Sequence, residues 1–112
     1  RCHHEGDSGE VIPKFLLRCM ADKPMMIFGD GTQTRDFTYV SDTARGILMA
    51  GLLDSAVGQT INLGSGFEIA INDLAREIAS VVDRPNAAII HDRARPGDVL
   101  RLYAETTKAN NL

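Results

Sequence analysis

The segment Phe28–Thr43, FGDGTQTRDFTYVSDT, determines how the surrounding sequence is interpreted. A short apolar run, Met25–Phe28, leads into it and ends at the glycine turn Gly29-Asp30-Gly31. Beyond the turn, Arg35–Val40 alternates between two faces and places the Arg35 side chain on the same face as two aromatic rings. Such runs on either side of glycines are typical of two β-strands joined by a turn, and we expect that structure here.

Helical patterns flank this segment on both sides. Apolar residues recur at helical spacing in three stretches, and Ser41 or Asp42 is placed to cap the second of them. The predicted helices are Ile12–Met20, Ala44–Leu52 and Ile71–Val82, with a further helix beginning in Thr106–Leu112, and the other predicted strands are Thr60–Leu63 and Ala87–Ile90. Because helices and strands interleave, the predicted class is α/β, a small mixed-sheet domain with three to four helices.

Composition excludes several functional classes. The chain has 112 residues, enough for one core, and 12 Lys+Arg against 15 Asp+Glu give a net charge of −3 with no block of like charges. We therefore expect no nucleic-acid partner, and no stretch of about 20 apolar residues predicts a membrane span. Two cysteines, Cys2 and Cys19, favour a reducing, cytoplasmic location, with Cys19 on the apolar face of a helix.

Two arginines are candidates for binding an anion. Arg35 is expected to be half-buried, so it needs either an internal carboxylate such as Asp36 or Asp42 or the phosphate of a ligand. Arg95 opens the turn Arg95-Pro-Gly-Asp98, whose proline and glycine stiffen the backbone; the alternative is an ordinary solvated loop. The residues alone leave both pairs of alternatives open.

Other patterns point only weakly to chemistry. The sequence around Gly64-Ser65-Gly66 imitates a dinucleotide-binding turn, but Ile69 replaces the third glycine and the helix begins late, so a plain turn is favoured. His3 and His4 are adjacent and point apart, which argues against a metal site. No nucleophile signature is present, and we expect no catalytic residue, no cofactor-binding residue and no metal ligand.

The segment Phe28–Thr43, together with Gly9–Phe15 before it and Arg95–Asp98 after it, resembles the C-terminal part of the nucleotide-sugar epimerases and dehydratases, the extended short-chain dehydrogenase/reductase family. The resemblance implies that residues 1–112 are a nucleotide-sugar-binding domain, truncated at both ends. In that family NAD(P) and a catalytic Tyr-x-x-x-Lys pair belong to an N-terminal Rossmann domain, and this sequence resembles only the part that follows that domain. Here Tyr39 and Tyr103 are each followed four residues later by Thr.

The resemblance also implies roles for individual residues. Arg35 and Arg95 would contact the diphosphate from two sides, and Asp98 would bind the ribose. The other implied substrate contacts are Val11 and Ile12 at the base pocket, Phe28 against the base or ribose, and Gln33 on the same loop. Family members place Ser or Thr before the third helix, where this chain has Ala70 and lacks that cap.

The expected function is therefore substrate binding within a parent enzyme such as a UDP-glucose 4-epimerase or a dTDP-glucose 4,6-dehydratase. The expected partners are a nucleotide-diphosphate sugar and the absent Rossmann domain, and the fragment alone is expected to be inactive. The alternative is a non-enzymatic binding or oligomerisation module that self-associates. The base, the sugar and the reaction stay open, because the residues that decide them belong to the rest of the parent.

Overall fold

The computed structural model describes residues 10–112, whose contacts form two units. The first unit comprises residues 10–33 and 69–100, and the second comprises residues 34–68 and 101–112. The elements are α1 (Val11–Met20), β1 (Met25–Phe28), β2 (Thr34–Arg35), α2 (Val40–Leu52), a 3-10 helix (Asp54–Ala56), β3 (Ile69–Ala70), α3 (Ile71–Val81), β4 (Ile89–Asp92), β5 (Arg101–Leu102) and α4 (Thr107–Asn111). Four α-helices interleaved with strands confirm the predicted α/β class.

The first unit is built on a parallel pair of strands, β1 and β4. Met25 lies opposite Ile89 and Phe28 lies opposite Asp92. Alternate side chains of β1 point into the core, where Met25 and Ile27 have no exposed surface. Helices α1 and α3 pack against each other and against β1. Their core residues are Phe15 and Cys19 from α1 and Ile71, Leu74, Ala75, Ile78 and Ala79 from α3.

Helices α1 and α3 match their predictions because the apolar pattern of each is long and regular. The buried Cys19 is a free thiol, as predicted, whereas Cys2 lies outside the described residues. Each helix ends at an aspartate with a left-handed backbone, Asp22 (φ 58°) and Asp83 (φ 62°). The side chain of Asp22 accepts a hydrogen bond from Nη1 of Arg84 at 2.6 Å, so the two helix ends are joined.

The second unit contains the parallel pair β2 and β5, in which Thr34 lies opposite Arg101 and Arg35 opposite Leu102. The predicted strand Arg35–Val40 is wrong beyond Arg35, because Val40 begins α2 and its side chain extends the apolar stripe of that helix by one turn. The predicted caps are also wrong: Ser41 and Asp42 lie inside the helix, and the N-cap position is Tyr39.

Three further observations concern the second unit. The predicted strand Thr60–Leu63 is an irregular segment, because a four-residue apolar run forms a strand only where a neighbouring strand pairs with it. The two-residue strand β5 was not predicted. Helix α2 has no buried residue, so its predicted apolar stripe is present but exposed: Ile47 is 62% exposed, Leu48 63% and Leu52 73%.

Within residues 10–112, none of the helices combines the length and the apolar character needed to cross a membrane.

Candidate functional site

The turn after β1 requires its glycines. Gly29 and Gly31 have positive φ angles of 86° and 78°, a backbone conformation that side chains disfavour. A Cβ at Gly31 would lie 2.0 Å from Oδ1 of Asn72, so this position also lacks room for a side chain. Between them, Asp30 accepts hydrogen bonds from the hydroxyl and the amide of Thr32 at 2.7 and 3.0 Å, which hold the pKa of Asp30 below its ordinary value.

This turn caps the N-terminus of α3 through its backbone. The amide of Ile71 donates to the carbonyl of Gln33, and the amide of Asn72 donates to the carbonyl of Gly31, both at 3.0 Å. The side chain of Asn72 donates to the carbonyl of Asp30 at 2.9 Å. The turn carbonyls thus accept hydrogen bonds from amides that a capping side chain or an anion would otherwise use. This explains how α3 forms with Ala70, which offers no side-chain cap, at its N-cap position.

Gln33 supports the end of β1. Its side-chain Nε2 donates to the carbonyl of Phe28 at 2.8 Å. The amide of Gly29 donates to the carbonyl of Asp92 at 3.0 Å, so the β1–β4 ladder extends one residue beyond β1. These two hydrogen bonds fix the backbone at Phe28. One donor of the Gln33 side chain is therefore used within the loop.

Arg95 lies over the ring of Phe28. The guanidinium carbon is 4.1 Å from the ring centroid, within the range of a cation–π contact worth about 0.5–1 kcal/mol at an exposed position. Arg95 also begins a tight turn, as predicted: the amide of Asp98 donates to its carbonyl at 3.2 Å, and Gly97 has a φ of 75°. In the part of the chain that the structure describes, no carboxylate forms an ion pair with Arg95.

Most of the predicted substrate contacts lie at one end of the first unit. Helix α1 packs on β1, and the short connection between them makes the two run in opposite directions, so the N-terminus of α1 lies at the end where β1 finishes. Val11 and Ile12, both half-buried, form the first turn of α1 there. Phe28, Gln33 and the turn that contains Arg95 and Asp98 lie at the same end.

Arg35 belongs to the second unit. It is half-buried, as expected, and its Nη1 donates to the carbonyl of Thr34 at 2.7 Å. Its predicted position on a strand face shared with Phe37 and Tyr39 is wrong, because β2 ends at Arg35. The structure thus groups six of the seven predicted contacts in one unit and assigns Arg35 to the other.

The second unit has a polar cluster that no pattern in the sequence predicts. Glu68 accepts hydrogen bonds from Nε of Arg101 at 2.7 Å and from the hydroxyl of Thr34 at 2.8 Å, and these bonds lower the pKa of Glu68. Arg101 also lies 4.9 Å from the ring centroid of Tyr103. The four residues come from three separate segments of the sequence, so no local pattern reveals the cluster.

The turn Gly64-Ser65-Gly66 is packed against Asp36. The amide of Ser65 donates to Oδ1 of Asp36 at 3.0 Å, and the Ser65 hydroxyl donates to the same oxygen. Burial raises the pKa of Asp36, but the hydrogen bonds from Ser65 outweigh it and the pKa is lowered. A Cβ at Gly64 would lie 2.6 Å from Oδ2 of Asp36 and 2.7 Å from Cβ of Ala104, so this glycine permits close packing.

The same turn does not fit a dinucleotide cofactor. Among the described residues, no strand leads directly into this turn, and α3 begins only at Ile71, with turn carbonyls already bonded to its first two amides. Cofactor diphosphates bind where helix amides are available, so the dinucleotide alternative lacks its structural basis.

A groove elsewhere in the first unit contains none of the predicted substrate contacts. A groove at the C-terminal ends of α1 and α3 is lined by Cys19, Asp22, Lys23 and residues 83–88. Among residues 10–112, no three His, Cys, Asp or Glu side chains are grouped so as to hold a metal ion. The His3-His4 pair lies outside the described residues.

Comparison with known proteins identifies the family. The profile of the NAD dependent epimerase/dehydratase family matches residues 1–64, more than half of the chain. The chain belongs to this family. A UDP-glucose 4-epimerase of Mycolicibacterium smegmatis is 33% identical over 107 residues, which cover 96% of this chain and 33% of that protein.

Two solved structures are similar to this fold. An epimerase of Methanothermobacter thermautotrophicus superimposes on this chain with a TM-score of 0.84 at 38% sequence identity. The superposition covers 92% of this chain and 31% of the epimerase. A UDP-glucuronic acid 4-epimerase of Bacillus cereus, solved with UDP-glucuronic acid and NAD, superimposes with a TM-score of 0.83 at 32% sequence identity. This superposition covers 92% of this chain and 33% of the Bacillus cereus enzyme. The chain spans about a third of the length of the Mycolicibacterium smegmatis relative and of a putative UDP-glucose 4-epimerase of Methanocaldococcus jannaschii, and a smaller share of several other relatives.

Proposed function

We propose that this chain is the nucleotide-sugar-binding portion of an NAD-dependent epimerase or dehydratase. The cofactor and the catalytic groups would belong to a Rossmann domain outside these 112 residues, in keeping with relatives that are about three times as long. The Bacillus cereus relative holds a UDP-sugar and NAD together, and this pairing supports the proposal. The buried free thiol of Cys19 fits a reducing, cytoplasmic location.

The observation that carries the proposal is the placement of Arg95. Its backbone is held in a tight turn, its guanidinium rests on Phe28, and no carboxylate of the described chain neutralises it. A guanidinium offers a planar set of donors that matches phosphate, and hydrogen bonds to charged groups contribute about 1.5–3 kcal/mol each. A stiff, exposed arginine without an internal partner is suited to binding a diphosphate.

The contribution of this chain to the reaction is positioning. Arg95 would bind the diphosphate, while Asp98 and the half-buried Val11 and Ile12 would contact the nucleoside. Binding the nucleotide remotely orients the sugar toward the nicotinamide and supplies energy that the chemical step uses. The sugar, the base and the outcome (epimerisation, dehydration or decarboxylation) depend on the rest of the parent.

A titration of the 112-residue chain tests the proposal. We expect UDP or dTDP to shift the backbone amide signals of Arg35 and Arg95, whereas uridine, which has no phosphate, shifts them far less. Arg95→Ala should weaken UDP binding about tenfold or more. Arg93→Ala, which removes a neighbouring exposed arginine, is the matched control and should change the affinity little.

Three results would contradict the proposal. The first is binding of UDP that Arg95→Ala leaves unchanged. The second is a response of Gly64 and Gly66 to NAD, which would support the dinucleotide alternative. The third is turnover of UDP-glucose by this chain with NAD alone, because the proposal assigns catalysis to another domain.

A second candidate function, a self-associating module, is favoured by the exposed face of α2. Ile47, Leu48 and Leu52 lie on one side of this helix with more than three-fifths of their surface exposed. Apolar patches of this kind mark interfaces. We expect Leu48→Glu to abolish any concentration-dependent dimer measured by sedimentation. A dimer combined with no response to UDP would favour this candidate over nucleotide-sugar binding.

A further inference from the structure

Phe28 and Arg95 form a pair whose members are 67 residues apart in the sequence. The guanidinium carbon of Arg95 lies 4.1 Å from the centroid of the Phe28 ring. The resemblance to nucleotide-sugar enzymes implies that Phe28 packs on the base or ribose of the ligand. In this structure, however, the arginine occupies one face of the ring, and this contact points to a second role for the ring.

The backbone on both sides of the pair is constrained. Phe28 ends β1, its carbonyl accepts from Gln33, and the next amide bonds to Asp92 of the β1–β4 ladder. A Cβ at Gly29 would lie 3.7 Å from Cβ of Ala94, the residue before Arg95, so the two segments run side by side. The tight turn from Arg95 to Asp98 then sets the direction in which the arginine leaves the backbone.

We propose that Phe28 is a positioning residue for Arg95: its ring holds the guanidinium flat, with the edge donors directed away from the ring toward an anion. The role rests on the proposed function, since the anion is the diphosphate of the nucleotide. A cation stacked on an aromatic face keeps its in-plane N–H groups available, because the contact uses the face of the guanidinium and not its edge. Fixing the rotamer before binding lowers the entropy that binding must overcome.

A comparison of two ligands tests this role. Inorganic pyrophosphate carries the charged groups of UDP but neither base nor ribose, so a ring that acts through Arg95 affects both ligands alike. We expect Phe28→Met to weaken both pyrophosphate and UDP by about two- to fivefold, the ratio that corresponds to a cation–π contact at an exposed site. Phe28→Tyr, which keeps the aromatic face, should bind both ligands as the unsubstituted chain does.

Two controls separate this role from a structural one. In the Arg95→Ala background, Phe28→Met should have no further effect on pyrophosphate affinity, because the residue it positions is gone. Tyr103→Leu removes the other arginine–aromatic contact, in which Arg101 is already bonded to Glu68, and should leave pyrophosphate affinity unchanged. Without ligand, the Arg95 side-chain proton signals should show a ring-current shift that Phe28→Met abolishes and Phe28→Tyr preserves.

The outcomes distinguish this inference from the function on which it rests. If the unsubstituted chain binds neither pyrophosphate nor UDP, the proposed function fails and the role of Phe28 fails with it. If both ligands bind and Phe28→Met weakens UDP alone, the ring contacts the nucleoside directly and only the inference is overturned. Equal losses from Phe28→Met with and without Arg95 would overturn it as well.

Discussion

Replacing Gly31 with alanine should destabilise the fold more than replacing a glycine whose positive φ is the only constraint. Gly31 has a φ of 78°, and a left-handed backbone costs a residue with a Cβ about 1–2 kcal/mol. The new methyl would also lie 2.0 Å from Oδ1 of Asn72. Asn72 can move away only by losing two hydrogen bonds, the one that its side chain donates to the carbonyl of Asp30 and the one that its Oδ1 accepts from Nε2 of His91. Such bonds contribute about 0.5–1.5 kcal/mol each.

The expected loss for Gly31→Ala is therefore about 2–5 kcal/mol in the free energy of unfolding, measured by urea denaturation. Gly58→Ala is the matched control, because Gly58 has a similar φ of 73° but no atom within 4 Å of the added Cβ. Gly58→Ala should lower the free energy of unfolding only by the cost of the left-handed backbone, about 1–2 kcal/mol. Equal losses for the two variants would refute the argument, since they would show that Asn72 yields at no cost.

Three further predictions concern stability. Gly51→Ala should stabilise the chain by up to about 1 kcal/mol in urea denaturation, because Gly51 lies inside α2 and nothing is within 4 Å of an added Cβ; a loss would mean that this face is already covered. Ala70→Ser should raise the free energy of unfolding by about 0.5–1 kcal/mol, since its hydroxyl can accept from the amide of Asp73, and no gain would show that this amide already has a partner. Because the pKa of Asp30 is lowered in the folded state, its bonds from Thr32 stabilise the fold above the ordinary value of 3.8 and this stabilisation is lost as the pH falls below it. Thr32→Val removes the hydroxyl that donates to Asp30 and should therefore reduce the loss of stability at low pH. If the urea midpoint keeps the same pH dependence in this variant, the hydrogen bonds from Thr32 do not lower the pKa of Asp30.

The helices of the first unit were predictable because their information is local. The apolar stripes of α1 and α3 run over ten and eleven residues, and each helix ends where the chain turns at an aspartate. The boundary between β2 and α2 was not predictable in the same way. A six-residue alternation, Arg35–Val40, satisfies a strand pattern, whereas its last residue also fits the stripe of the following helix.

The candidate site shows the same division. The turn at Arg95 was predictable, because a proline followed by a glycine restricts the backbone angles whatever surrounds it. The partners of the two arginine side chains were not predictable. For Arg35 the sequence left open an internal carboxylate or a ligand, and for Arg95 a ligand or solvent. The contact with Phe28 arises from strand pairing, in which β1 and β4 run parallel and bring residues 28 and 92 opposite each other.

What the sequence by itself determined is the set of local features: the helical stripes, the glycine turns and the family signature that runs from Phe28 to Thr43. These depend on backbone angles and side-chain periodicity, which neighbouring residues control. Only the tertiary structure decided that turn carbonyls from Gly31 and Gln33 cap α3, that Ser65 bonds Asp36, and that Arg95 rests on Phe28. Each of these contacts joins residues at least 29 positions apart, so it exists only after the chain has packed.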